Sequence, residues 1–221
     1  MSPFLTTLST VIAKNHKKLL FACVTLIMIM IPGLGQLKTD FGIRVWLEED
    51  DPLVHELNKF ETDFGNDESV VVVIHDAEGV FKPNIVKLIQ NLTKKLSKLS
   101  EIEVVDSLSN YNWITGSDDA VDIDPFLRNK LQLTPELLQK KQDQALGHEI
   151  IPGYLLSRDG KSTYIFAHLP DTLNHAPDYK IVMQQVQAVV ENTDLPPGVN
   201  IYLTGAGALN DAFREVAEKD M

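Results

Sequence analysis

Near the amino terminus the hydrophobic positions follow no helical or strand period; they run together. From Leu19 to Leu37 there are 19 residues without a charge, and a helix rising about 1.5 Å per residue needs about 20 to cross a hydrocarbon core of ~30 Å. A buried helix of a soluble protein carries a polar stripe, yet between Phe21 and Ile31 only Thr25 interrupts the apolar run. The pattern predicts a transmembrane helix over residues 19–37. Lys14, Lys17 and Lys18 precede it and no acid does, which keeps residues 1–18 in the cytoplasm and sends the rest across. Gly33 and Gly35 keep the alternative of a cleaved export signal open, whereas the long leading segment and the continued apolarity of Pro32 to Leu37 suit a retained anchor.

Beyond the run the periods are those of a mixed domain. Asp51 and Pro52 form a helix-start pair, and Val54, Leu57, Phe60 and Phe64 share one face of a short helix ending near Gly65. Residues 38–68 are therefore a connecting segment. SVVVVIHD, Ser69 to Asp76, has the β-branched density of a strand buried on both faces. Ile85, Leu88, Ile89, Leu92, Leu96 and Leu99 keep helical spacing with Lys87, Lys94, Lys95 and Lys98 between them, and Ile102 to Ser109 read as a second strand. That makes residues 69–110 a first β-α-β unit. A second occupies 154–205: a strand over Lys161 to Pro170, a helix with Tyr179, Val182, Met183, Val186, Val189 and Val190 on one face, and a strand near Val199 to Thr204. A short strand at Tyr154 to Ser157 is expected to pair back through the turn Arg158-Asp159-Gly160-Lys161.

Two such units predict an α+β fold, a ferredoxin-like split β-α-β sheet with helices on one face. Residues 111–153 between them have another texture. NWITGSDDAVDIDPF is acidic and turn-rich, and LTPELLQKKQDQAL begins a helix capped by Thr134 with Pro135 in its first turn; the expectation is a helical insertion. Residues 206–221 predict a helix with Leu209, Phe213 and Val216 on one side, running to Met221 without a stop signal, which suggests a missing continuation.

Charge narrows the partners. The chain has 20 Lys+Arg against 31 Asp+Glu; only Lys14, Lys17 and Lys18 precede residue 38, leaving 17 against 31, a net of −14, for residues 38–221. Nucleic acid is excluded as a partner by that sign. Cys23, the single cysteine, lies inside the apolar run, so neither a disulfide framework nor a thiolate metal site can form within one chain. The bulk of the chain is expected in the periplasm of a bacterium, where core packing rather than disulfides supplies stability.

The candidates for chemistry are weak. Gly205-Ala206-Gly207 lies between a strand and a helix, but no third glycine follows and Asn210 and Asp211 stand where an anion would dock, so a helix start is the better reading. His55, His75, His148, His168 and His175 are scattered without an HExxH pair, and His168 falls in strand alternation as a half-buried structural residue. Asp118, Asp119, Asp122 and Asp124 lack the spacing and glycine of a calcium loop and read as a solvated acidic stretch. No G-x-S-x-G occurs, and Asn91-Leu92-Thr93 is a sequon in mid-helix. The expectation is a protein that is not an enzyme, with no catalytic, cofactor-binding or metal-binding residue and no cofactor.

The order of one apolar run, then TDFGIRVWLEEDDP, FETDFGNDESVVVVI, IEVVDSLSN and GVNIYLTGAGALNDAF, resembles the amino-terminal part of resistance-nodulation-division (RND) transporters. Within them it is most similar to the MMPL-type and sterol-sensing-domain-related exporters. The resemblance covers nearly the whole chain. It implies one span followed by a porter-like domain, with Ala208 to Met221 as the linker descending to a second span, and with the acidic residues of proton coupling in later spans. It implies export of lipids or other hydrophobic compounds. The partners would be the lipid bilayer, a hydrophobic substrate, and the remaining transmembrane half or further subunits, all at the bacterial cytoplasmic membrane. Substrate-binding residues stay unknown at this level, although the apolar faces of Val54 to Phe64 and of the insertion helix are candidate walls of a cleft. The alternative is a complete single-span protein whose periplasmic domain binds a ligand or partner.

Overall fold

The computed structural model describes residues 3–34, 51–66, 68–117, 120–128, 131–170 and 177–220. The chain divides into two compact units, Met1–Asp40 and Phe41–Met221.

The first unit is a helix, α1 (Pro3–Leu34), broken at Asn15, whose φ of −114° and ψ of 17° leave the helical region. From Leu19 to Ile31 its large apolar side chains are exposed on every side, Phe21 at 74% and Ile29 at 69%. The one hydroxyl among them, on Thr25, donates to the carbonyl of Phe21 at 2.8 Å and so asks nothing of the surroundings. Among the described residues no helix is long and apolar enough to cross a membrane. Gly35 to Leu37, which complete the expected 19–37 run, lie outside the described residues, as does the 38–68 connecting segment up to Asp50.

In the second unit α2 (Pro52–Phe64) starts as the sequence predicts. Asp51 accepts from the Leu53 N–H at 2.8 Å, Pro52 takes the first turn, and Gly65 at φ 80° closes the helix with its N–H on the Glu61 carbonyl. The strands and helices that follow are β1 (Ser69–Asp76), α3 (Pro83–Leu96), β2 (Val104–Asp106), β3 (Asn112–Ser117), β4 (Ala120–Pro125), α4 (Pro135–Leu146), β5 (Ser162–His168), α5 (Tyr179–Glu191), β6 (Val199–Thr204) and α6 (Ala206–Asp220). The main sheet runs β2-β5-β1-β6 and every neighbouring pair is antiparallel. Each unit's two strands are thus separated by a strand of the other, the interleaving of a split β-α-β sheet. The class is α+β.

Register decides the core. Val72 stands opposite Ile165 on one side and Leu203 on the other, and Val70 opposite Ala167. On that face Val70, Val72, Ile74 and Ile165 have no exposed surface, and they share one apolar cluster with Ile85, Ile89 and Leu92 of α3 and Val182 and Val186 of α5. At about 25 cal/mol per Å² of apolar surface removed from water, this cluster is the main stabilising term of the unit. Lys95 ties the two covering helices at their carboxyl ends, donating to the Asn192 carbonyl at 3.0 Å and the Thr193 hydroxyl at 2.8 Å.

Three expectations are corrected. The insertion at 111–153 is not simply helical: it opens with the antiparallel hairpin β3–β4 before α4, with Ile114 opposite Ile123 and Trp113 opposite Asp124. The second strand is three residues, 104–106, rather than 102–109. Ser107 to Asn110 turn instead, because the Asn110 side chain accepts the Ser107 N–H at 2.8 Å and Tyr111 N–H reaches the Ser107 carbonyl at 3.0 Å, a local competitor for the ladder. Tyr154 to Ser157 is not a strand. It makes only isolated bridges through Leu156, antiparallel to Thr163 and parallel to Pro152, since Pro152 and Gly153 wind the chain so that Tyr154, Leu155 and Leu156 all donate to the Ile151 carbonyl. The turn at Arg158 to Lys161 does form, with Gly160 at φ 69°.

Candidate functional site

The two candidate apolar walls are covered to different extents. α4 buries Leu138 and Ala145 in the main cluster. α2 is the opposite: no residue of it is buried, Val54 and Leu57 are half-covered, and Phe60 and Phe64 stand 57% and 76% exposed with ring centroids 5.0 Å apart. An amphipathic helix with an uncovered aromatic pair is a surface for apolar contact.

A second surface arises from the hairpin. Strand alternation places Ile114, Val121 and Ile123 on one side, all exposed, and Trp113, Thr115 and Asp124 on the other. This other side, with Phe126 and Arg128 just beyond β4 and Lys141 and Gln144 from α4, encloses a groove of about 280 Å³. Trp113 and Phe126 meet at 4.9 Å, and His148 closes against Trp113 at 5.3 Å with its Nδ1 accepting from the Ile150 N–H. The Lys141 ammonium lies 4.3 Å from the Phe126 ring centre and 5.8 Å from that of Trp113, within cation–π reach. Burial holds its pKa below the ordinary lysine value, and the positive charges of Lys140 and Arg128 push the same way against Asp124. Asp124 is itself engaged by Arg128 at 3.4 Å, and among the described residues no carboxylate pairs with Lys141.

On the sheet face away from α3 and α5, Tyr154 donates to Asp106 at 3.2 Å, His168 Nε2 lies 3.2 Å from the same carboxylate oxygen, and Tyr154 stacks on Phe166 at 4.9 Å. The His168 contact holds the Asp106 pKa down, while burial, and then Asp106, push the Tyr154 hydroxyl up to about 12. Tyr154 and His168 thus both lie against the Asp106 carboxylate on this face of the sheet. His75 is occupied by the Ser162 hydroxyl at 3.0 Å, His55 is exposed on α2, and His175, Asp118 and Asp119 lie outside the described residues. Among the described residues no cluster of three His, Cys, Asp or Glu is placed to hold a metal ion.

The Gly205-Ala206-Gly207 turn has a packing cause. A Cβ on Gly205, at φ 94°, would stand 2.5 Å from the Ser69 carbonyl, and one on Gly207 would stand 2.7 Å from a Val70 methyl. The glycines let the β6–α6 corner press onto β1.

A sheet of interleaved units, an inserted hairpin and helix, and an uncovered aromatic lead-in helix are now in view. The model of the MMPL family matches residues 45–221. The chain belongs to the MMPL family. It is thus related to the RND-type membrane transporters, and the match takes in both β-α-β units, the insertion and α6. No curated protein matches the sequence.

Sequence reasoning missed the groove of this MMPL protein. Its signals were present: Trp113 and Phe126 flank the acidic stretch, and Arg128, Lys140 and Lys141 are cations close in sequence within a strongly acidic chain. Only the hairpin brings them together.

Proposed function

We propose that the chain supplies the first span and a periplasmic, porter-like domain of an RND-type exporter of lipids or other hydrophobic compounds in the bacterial cytoplasmic membrane. The family match over residues 45–221 carries this reading. Two further observations support it. The apolar side chains of Leu19 to Ile31 are exposed all round α1, a surface suited to lipid rather than to water. α2 leaves Phe60 and Phe64 uncovered at the entry to the sheet domain, where a hydrophobic substrate can be handed on. Proton coupling requires ionisable groups within the membrane, and none stands between Leu19 and Ile31 apart from the thiol of Cys23; the coupling groups therefore belong to other spans of the assembly.

The test is topological and functional. In a Cys23→Ser background, a cysteine introduced at Glu103 reacts with a membrane-impermeant maleimide in intact spheroplasts, while one introduced at Lys14 reacts only after lysis. Labelling in the reverse order, or a chain released free of its amino-terminal residues, overturns the orientation. Deletion of the gene raises retention of an exported lipid or hydrophobic dye, and unchanged export overturns the transport role.

A further inference from the structure

We propose that the groove between the β3–β4 hairpin and α4 binds an amphipathic anion, its ionised head at Lys141 and its alkyl chain along Trp113 and Leu137. The inference deepens the transport reading by naming a substrate chemistry and rests on it for biological purpose only, because binding is measured on the chain itself.

Four observations converge. The chain carries a formal charge of −11, yet among the described residues the groove gathers Arg128, Lys140 and Lys141 against Asp124 alone. Asp124 is already paired with Arg128, which leaves a surplus of positive charge facing the groove. Lys141 is half-buried beside two aromatic rings, in surroundings that disfavour its charge; a bound anion reverses that penalty. Gln144, on the same wall, keeps its side-chain Oε1 buried with no hydrogen-bond partner among the described residues, and buried acceptors without partners are uncommon. The remaining wall is apolar and aromatic, through Trp113, Phe126 and Leu137. A volume of about 280 Å³ sits just below the ~300–1,000 Å³ of small-molecule sites. It holds a head group and its first few methylenes, with the remainder of a longer chain outside.

Trp113 is a built-in reporter, since the only other tryptophan is Trp46. With the full chain carrying Trp46→Phe in phosphatidylcholine nanodiscs, octyl phosphate and octanoate are expected to change Trp113 fluorescence saturably. Octanol is expected to bind about tenfold more weakly for want of the charge-assisted contact, and inorganic phosphate weakly for want of the tail. Lys141→Met, which keeps the apolar stem, is expected to bring octyl phosphate down to the octanol level. Equal binding of octanol and octyl phosphate overturns the proposal, as does inorganic phosphate binding as tightly as octyl phosphate, or an unchanged affinity in Lys141→Met. Should that variant lose its fold, the comparison of octyl phosphate with octanol on the parent chain decides. A groove that fails to bind leaves the export reading standing, because gene deletion tests that separately.

Discussion

The sheet with α3 and α5, and the insertion with its hairpin and α4, put their apolar side chains to different uses. In the first, most polar atoms that enter the interior are paired: Thr93 donates to the Ile89 carbonyl at 2.7 Å and lies 2.9 Å from the Ser107 hydroxyl, and Thr163 donates to the Leu155 carbonyl at 2.8 Å, while Gln185 Oε1 on α5 is buried without a partner among the described residues. In the second, among the described residues no carboxylate pairs with Lys141, Gln144 Oε1 has no hydrogen-bond partner, and Ile114, Val121 and Ile123 are exposed. The first region is the more nearly completed within the chain, and the second keeps a half-buried cation and an outward apolar face without partners among the described residues.

The contrast is sharpest in the energetic cost of truncation. Ile89→Ala removes a fully buried side chain and is expected to cost about 3–4 kcal/mol, read from the urea midpoint of the sheet domain. A cost below about 1 kcal/mol would mean that the region tolerates a cavity and is no rigid scaffold. Gly205→Ala forces a Cβ against the Ser69 carbonyl at a positive φ and is expected to cost about 2 kcal/mol by the same measurement.

Asp76 gives a pH signature to the scaffold. Its side chain is 5% exposed and bonds Lys82 at 2.8 Å. Burial raises its pKa, but the Lys82 ammonium and the Glu78 N–H outweigh burial and the net shift is downward. A depressed carboxylate stabilises the fold at pH above its unfolded value of about 3.9 and loses that contribution as pH falls through the folded value. The destabilisation caused by Asp76→Asn is therefore expected to be full at neutral pH and to shrink below about pH 4, followed by thermal unfolding across pH. A gap that widens in acid contradicts the assignment.

In the insertion the expected effects are small and one has the opposite sign. Lys141→Met without ligand is expected to raise stability by about 0.5 kcal/mol, since a half-buried charge without a counter-ion is removed and its stem retained. Ile123→Thr on the outward face of the hairpin is expected to change stability by less than about 0.5 kcal/mol. If either costs as much as Ile89→Ala, the insertion belongs to the core and the division fails.

β1 and α3 were legible because each carries an uninterrupted periodic signal, Val70 to Ile74 as a β-branched run and Ile85 to Leu96 as one stripe between lysines. The helix starts at Pro52 and Pro135 were equally plain, because cap and proline act within a single turn; Asp51 and Thr134 do cap them. The hairpin was obscured by its acids. Asp122 and Asp124 suggest a loop by composition, yet they alternate with Val121 and Ile123, which is the period of a strand with one wet face. The groove was illegible because it is a long-range product. Trp113 and Lys141 lie far apart in sequence and meet only when the hairpin folds beside α4, which neither periodicity nor spacing encodes.

The antiparallel pairing of β1 with β6 sets Val71 opposite Thr204, so the strand that opens the sheet begins where the strand that closes it ends. Traction applied through α2 and α6 together would act at the same end of this pair. Its hydrogen bonds, lying across the strands, would then be loaded one after another like the teeth of a zip, and not all at once. The domain is thereby mechanically soft along the very route by which its neighbours in the chain can pull on it, and stiff against tension in any direction that shears the ladder.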